Sequence, residues 1–250
     1  MACTSVAVLG LHSPPSSDEL MLSSAAYNQL PDDENQPDPS EHHLQELARL
    51  FMRYDVQNKF GLHLIHGHLS IPDGTVMFGR SFTGPDGFWT KPTNVDDLNL
   101  GYIHGHIFML SSDGGGFVPY EYREGLPIEM TGVDTAFFAE LAQYLKDNSL
   151  AGLLGLQALC GEPPEDMVEF VLDGGEGTVM LHRTAANYGR SYKVTDWRVQ
   201  QQEGGIVEFK GGETHAETYV GTHRVFIDGK PLPDVDSLKK LLAERDLIRC

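Results

Sequence analysis

The feature that most restricts the fold is a recurrence. Glu46-Leu-Ala48 returns as Glu140-Leu-Ala142, Gly61-Leu62 as Gly155-Leu156 and Gly67 as Gly161, always 94 residues later, and six of the 22 positions in that ungapped stretch are identical. Gly74-Thr-Val-Met77 then returns as Gly177-Thr-Val-Met180, with a loop-sized insertion holding Pro163 and Pro164 in between. Helix and strand patterns recycle the same residues by chance, but landmarks kept in one order favour a reused supersecondary unit.

The unit reads as a helix followed by strands. Ser40 is suited to an N-cap and Glu41 to the positive end of a helix dipole, with Leu44, Leu47, Leu50 and Phe51 recurring on one face. Phe60 to Leu69 reads as a strand, Ile71-Pro-Asp-Gly74 as a turn and Thr75 to Gly79 as a strand. The glycine- and proline-containing stretch from Gly84 to Asn94 reads as a connection. Strands follow around Tyr102 to Leu110 and Phe117 to Tyr122, split by a turn at Ser111 to Gly116. The second copy continues through Val194 to Gln201, Ile206 to Lys210 and Thr222 to Ile227, and an amphipathic helix at Val235 to Arg245 ends the chain.

These elements give an α+β fold class: tandem duplicated units of helix plus antiparallel strands, forming one twisted sheet or two related sheets with helices on one face. The expected organisation is an acidic flexible leader over 1–40, a histidine-rich lobe one over 41–130 and a related lobe two with the last helix over 131–250. The leader earns its description by charge. Residues 1–48 hold eight carboxylates and no Lys or Arg, and Ser13 to Ser40 is broken by prolines.

A net charge of −18 repels phosphate backbones and anionic lipid, so neither nucleic acid nor a membrane is an expected partner. No apolar run approaches the roughly 18 residues of a membrane span, and Ser5 to Leu11 is too short for a signal peptide, so the expected location is cytoplasmic. Cys3, Cys160 and Cys250 are too few for a disulfide framework and form no Cys-x-x-Cys pair. Cys160 as a nucleophile would need a base such as His66 or His182; an inert buried thiol is the stronger reading. Signatures of nucleotide binding, serine hydrolysis and the His-Glu-x-x-His metalloproteases are absent.

The candidate chemistry lies in a tetrapeptide that occurs twice. Ile-His-Gly-His runs from Ile65 to His68 and from Ile103 to His106. On a strand, residues two apart share a face, so each copy presents two imidazoles side by side. If the two strands are neighbours, all four rings meet. His66, His68, His104 and His106 are therefore the candidate metal ligands, for a divalent ion such as zinc or iron. His66 and His104, with Glu121 as supporting carboxylate and Tyr120 as phenolic acid, are the candidate catalytic residues. Asp73 ranks below Glu121 because a Pro-Asp-Gly turn explains it. His215 and His223, with Glu208 or Glu213, could line the same cleft from lobe two. Half-exposed imidazoles hydrogen-bonded to backbone are the competing structural explanation. The aligned lobe-two positions are Gln157 for His63, Cys160 for His66 and Glu162 for His68, an asymmetry that favours a specialised lobe one.

Gly61, His66-x-His68, Asp73 and Gly79 together resemble part of the cupin histidine motif. The resemblance covers fewer than 20 residues, departs in having Asp on a turn where cupins carry Glu further along a strand, and lends no function. The leading expectation is an enzyme for a small organic molecule, by hydrolysis, lyase or isomerase chemistry, cyclisation or oxygenation, with the histidines binding metal or transferring protons. The alternative is a non-catalytic duplicated scaffold that binds a ligand or protein, with the acidic leader as its arm. A homo-oligomer is compatible with the sequence and not predicted by it.

Overall fold

The computed structural model describes residues 6–159, 166–190, 192–201, 207–218, 221–227 and 231–249. In chain order the strands are β1 (Ala7–Val8), β2 (Phe60–Leu64), β3 (Thr75–Phe82), β4 (Gly87–Asn94), β5 (Ile103–Leu110), β6 (Gly116–Glu124), β7 (Leu154–Ala158), β8 (Met167–Leu172), β9 (Thr178–His182), β10 (Tyr192–Val194), β11 (Asp196–Gln201), β12 (Val207–Gly211), β13 (Glu213–Thr218), β14 (Gly221–Thr222) and β15 (Arg224–Val225). The helices are α1 (Ser17–Tyr27), α2 (Glu41–Arg53), α3 (Ala136–Asp147) and α4 (Val235–Glu244).

Twelve strands follow one path through the sheet in the order β10-β13-β8-β9-β4-β3-β6-β5-β7-β2-β11-β12, and the short β1, β14 and β15 pair with β6, β13 and β8 off that path. Its two ends return to each other. β10 and β11 are one extended run bent at Thr195, and β12 and β13 are another bent at Gly212. Hydrogen bonds from Thr195 N to Glu213 O (3.1 Å) and from Gly212 N to Asp196 O (3.2 Å) carry the pairing through both bends. The sheet is thus a nearly closed barrel, and strands from 41–130 and 131–250 interleave in it, β2 pairing β7 and β4 pairing β9.

Alternation along the strands sorts the side chains by polarity. In β2, Phe60, Leu62 and Leu64 join an apolar cluster with Leu47 and Phe51 of α2 and Phe137 and Leu141 of α3, while His63 projects from the opposite face. In β8, Val168, Phe170 and Leu172 pack with Leu238 and Leu242 of α4, and Glu169 projects from the other face. The apolar faces lie outward beneath helices, and the barrel interior holds buried His63, Gln157, Glu169, Glu213 and His215.

Contrary to the expectation from sequence, the helices do not form a single layer on one face. α2 and α3 cover the β2–β7 region, α4 covers β8 and β9, and α1 sets Leu20 against Val76, Phe78 and Tyr122. A curved, nearly closed sheet needs its outer apolar surface covered at several places around the wall.

Both amphipathic helices read from sequence form as expected: Ser40 caps α2 by accepting from His43 N, and α4 begins at Val235. Three readings change. The strand at Phe60 ends at Leu64, so His66-Gly67-His68 lies in the following loop. The expected connection at Gly84–Asn94 contains the eight-residue strand β4, whose Phe88, Trp89, Thr90 and Thr93 outweigh Gly87 and Pro92 in its preference. Thr222 to Ile227 holds only the two-residue strands β14 and β15. Within the acidic leader, α1 carries a capping box of Ser16 and Glu19, and a 3-10 turn follows at Asp33–Asn35.

Connectivity repeats between the halves. Helix α2 leads into β2 and α3 into β7, and these two strands pair with each other. The antiparallel hairpin β3–β4 has its counterpart in β8–β9, and the parallel pair β3–β6 in β8–β13. The pairs β5–β6 and β5–β7 correspond to β11–β12 and β11–β2. One landmark drops out of this correspondence: Gly74 to Met77 opens the first strand of its hairpin, whereas Gly177 to Met180 runs into the second of the other.

Candidate metal centre

The interior chemistry starts where β2 leaves the sheet. His66 Nδ1 lies 2.6 Å from Leu64 O; a carbonyl only accepts, so Nδ1 carries the proton and Nε2 has the free lone pair. Gly67 follows because the N-terminal segment crosses here: its N donates to Pro31 O (2.8 Å), and a Cβ on it would sit 3.2 Å from Leu30 Cβ. His68 comes next, its ring centroid 4.9 Å from that of His66.

Two other strands complete the group. Parallel pairing of β8 with β13 sets Glu169 directly beside His215, and a carboxylate oxygen of Glu169 contacts His215 Nε2. The His215 ring lies 4.6 Å from His66 and 4.8 Å from His68, centroid to centroid. His66, His68, Glu169 and His215 are all buried and each offers one ligand atom, all within 4.8 Å of one another. Bonds of about 2.1 Å to one tetrahedral ion set its donors roughly 3.4 Å apart, so side-chain shifts of about an ångström would close the shell.

The surroundings fix the ligands. Asp33 Oδ2 accepts from His215 Nδ1 at 2.9 Å, leaving Nε2 for an ion, and Thr222 Oγ1 donates to the same carboxylate. This carboxylate–histidine arrangement is the outer-shell device that orients metal-binding imidazoles. Both nitrogens of buried His68 lack a hydrogen-bond partner. An orphaned imidazole costs free energy, and a cation at the shared point removes part of that cost.

Burial and charge divide the imidazoles into two kinds. Burial pushes His66 down to about 4, helped by the His215 charge, and holds His63 and His68 well below the usual range. His215 goes the other way. Burial opposes its charge, but Glu169 and the Asp33 hydrogen bond outweigh burial and raise it to about 10. Burial likewise favours protonated Asp33 and Glu169, yet the His215 cation overrides it and keeps both below the ordinary carboxylate range. In the metal-free protein a protonated His215 thus bridges two carboxylates, and neutral His66 and His68 stand beside it.

Further residues line the interior beside this group. The His63 ring stacks on His66 at 5.2 Å, and its Nδ1 is 3.2 Å from the Tyr120 hydroxyl. The β5–β6 register slips between Gly105 and Phe108, leaving Tyr120 without an opposite residue; such a bulge re-aims the side chain. Burial, with Glu169 adding, raises the Glu121 carboxyl to about 8, and burial holds the Tyr120 phenol well above its ordinary value.

His104 and His106 are buried but do not join the group. Strand β7 lies between β2 and β5, so the two Ile-His-Gly-His segments are not neighbours. His106 Nδ1 donates to Ala158 O at 3.1 Å, and His104 lies opposite Arg123 on β6. Their Gly105 serves packing: a Cβ there would meet Phe108 Cζ at 2.6 Å. Of the other residues weighed from sequence, His215 is central, Glu213 lies 3.8 Å from His63 Nε2, and His223 sits apart against Tyr188. Cys160 lies outside the described residues. Sequence reasoning passed over Glu169 and Asp33. A carboxylate alone inside the apolar run Met167–Leu172 is the signal that could have found Glu169.

The N-terminal segment closes the group from outside. Gln36 Nε2 donates to Ile65 O (2.5 Å) and Gly152 O (2.9 Å), and Lys193 Nζ holds the Asp33 and Gln36 carbonyls. Gln36 and Lys193 also line a surface cavity of about 580 Å³ with Asp38, Tyr192, Trp197 and Glu217.

Comparison with known proteins returns no matching family model, curated protein or solved structure. Fold and site define the class on their own: an α+β, nearly closed barrel with a buried His/Glu group able to hold a metal ion. Among the described residues no helix is long and apolar enough to cross a membrane.

Proposed function

We propose that the protein is a metal-dependent enzyme acting on a small organic molecule, with His66, His68, His215 and Glu169 as ligands to one divalent cation. The observation that carries this reading is the convergence of one ligand atom from each of these four buried residues within 4.8 Å, with hydrogen bonds from His66 Nδ1 to Leu64 O and from His215 Nδ1 to Asp33 reserving both Nε2 atoms for an ion once His215 gives up its proton. Three imidazoles and a carboxylate suit zinc, iron, manganese or nickel. A bound ion would polarise a carbonyl or lower the pKa of a water. Glu121, held near pH 8, can keep or release a proton at neutral pH, and Tyr120 and His63 form a hydrogen-bonded pair beside the ligands. His104 and His106 have no role in this site. Zinc and iron remain the ions to try first.

The two halves are proposed to descend from one duplicated helix-and-strands unit, on the strength of their repeated strand pairing. The ligands are not repeated with it: His66 and His68 come from the first half, Glu169 and His215 from the second.

A second reading is a closed structural metal site in a binding scaffold, favoured by the near-complete burial of all four ligands. Metal analysis of tagless protein separates both from a metal-free scaffold: at least about one ion per chain in the wild type, and about one fewer in His215→Ala, is expected. No retained metal after zinc, iron, manganese or nickel addition would refute the metal centre. Metal retained, but with folding stability as its only effect and no turnover across panels of small carbonyl compounds, acids and esters, would favour the structural reading.

A further inference from the structure

Beside the four-ligand group lies another set of donors: Asp32, Asp33 and His68 each offer one atom within 4.8 Å of the others. His68 belongs to both sets. We propose that a second divalent cation binds between Asp32, Asp33 and His68, with the His68 ring shared by the two ions. The inference rests on the metal reading above and adds a second ion to it.

The argument turns on the two ring nitrogens of His68. The side chain is only 3% exposed, and neither Nδ1 nor Nε2 has a hydrogen-bond partner. An ion in the four-ligand group occupies one nitrogen and leaves the other orphaned in a buried position, which is costly. Nδ1 lies 3.7 Å from Asp33 Oδ1, too far for a hydrogen bond. The gap is also too short for a bridging water, whose two hydrogen bonds of about 2.8 Å span roughly 4.6 Å. Two bonds of about 2.1 Å to one tetrahedral cation span about 3.4 Å, close to what is found.

The carboxylates have capacity for that ion. Asp33 Oδ2 serves His215, whereas Oδ1 lies toward His68 and accepts from Thr222 Oγ1, and the neighbouring Asp32 carboxyl shares a hydrogen bond with Asp33. Asp32 Oδ1 accepts from Glu34 N at 3.2 Å, and its Oδ2 is 3.5 Å from the half-exposed guanidinium of Arg224. Two adjacent carboxyls, each with an oxygen within 4.8 Å of the same imidazole, supply the negative charge that a divalent cation requires. When the second ion binds, the neutral His68 ring gives up its one N–H proton to solvent, and each nitrogen then forms one bond to metal. The donors, two carboxylates and an imidazole, suit zinc or copper.

Full-length tagless protein, stripped with chelator and titrated with Zn2+ alone, is expected to take up two ions per chain. Asp32→Asn, at a partly exposed position where Asn can still cap Glu34 N, is expected to take up one, with the tighter affinity changed less than about threefold. One ion in both proteins overturns the second site and leaves the first standing, whereas none in the wild type overturns both. Two ions in both proteins overturns the assignment to Asp32. Copper gives an independent readout. In the wild type loaded with two Cu2+, a shared imidazolate couples the spins and lowers the paramagnetic resonance intensity per copper below that of Asp32→Asn; equal intensities overturn the shared ring.

Discussion

The first zinc ion must displace a proton, and the structure says which one. Asp33 and Glu169 are already ionised at neutral pH, and His66 and His68 are already neutral, with His66 at about 4. Only His215, at about 10, still carries a proton that binding must remove from Nε2. At pH 7 that removal spans about 3 pH units and costs roughly 4 kcal/mol. The first equivalent of Zn2+ should therefore release about one proton, and its Kd should fall about tenfold per pH unit, or about 100-fold from pH 6.5 to 8.5. Calorimetry in two buffers of different ionisation enthalpy counts the proton, and competition against a chromophoric chelator at three pH values gives the slope. A Kd changing less than about threefold across that range, or release of fewer than about 0.3 protons, would refute the protonated bridge. The same shift has a stability sign. A histidine raised from 6.5 to about 10 contributes fully below pH 6.5 and loses that contribution as pH climbs through 10, so the metal-free protein weakens on the alkaline side.

Three further outcomes follow from the same geometry. His104→Gln and His106→Gln should leave metal content unchanged, whereas His66→Gln should lower Zn2+ affinity at least about tenfold; equal losses in all three, measured by elemental analysis and chelator competition, would place the ion elsewhere. Glu121→Gln should raise thermal stability at pH 8–9 and not at pH 5: a carboxyl at about 8 when folded and 4.5 when unfolded costs wild-type stability as pH rises between those values, on the order of 5 kcal/mol at most. A Tm difference independent of pH would count against the raised carboxyl. Gly155→Ala would bring a Cβ within 2.2 Å of Phe108 O, and a loss of about 1–3 kcal/mol in denaturant unfolding is expected, with no loss indicating a looser β5–β7 contact.

The α+β class, two helices and most strands were legible because they rest on local pattern: Ser40 before an apolar stripe, and Phe60, Leu62 and Leu64 alternating with Gly61 and His63. The order of strands around the barrel was not, because nothing in Ile65–His68 or Ile103–His106 says that β7 comes between their strands. Of the four ligands His66 and His68 were visible as leading candidates and His215 as a possible lining residue. Glu169 and His215 meet only because β8 and β13 pair in parallel with one particular register, a fact held by distant residues. Asp33 was hidden for another reason. Its neighbourhood, Pro31-Asp-Asp-Glu-Asn35, has the composition of a free tail, and its order comes from partners more than 150 residues away, including His215, Thr222 and Lys193.

The outward apolar face and inward polar face give each strand two jobs on alternate positions. Val168 and Phe170 hold α4 to the wall, and Glu169 between them serves the interior. Changes at every second residue can therefore alter reactivity while the scaffold's cohesion is left almost untouched, and the reverse holds for the residues between. A barrel wired in this way could diversify its chemistry by point substitution without having to relearn how to fold.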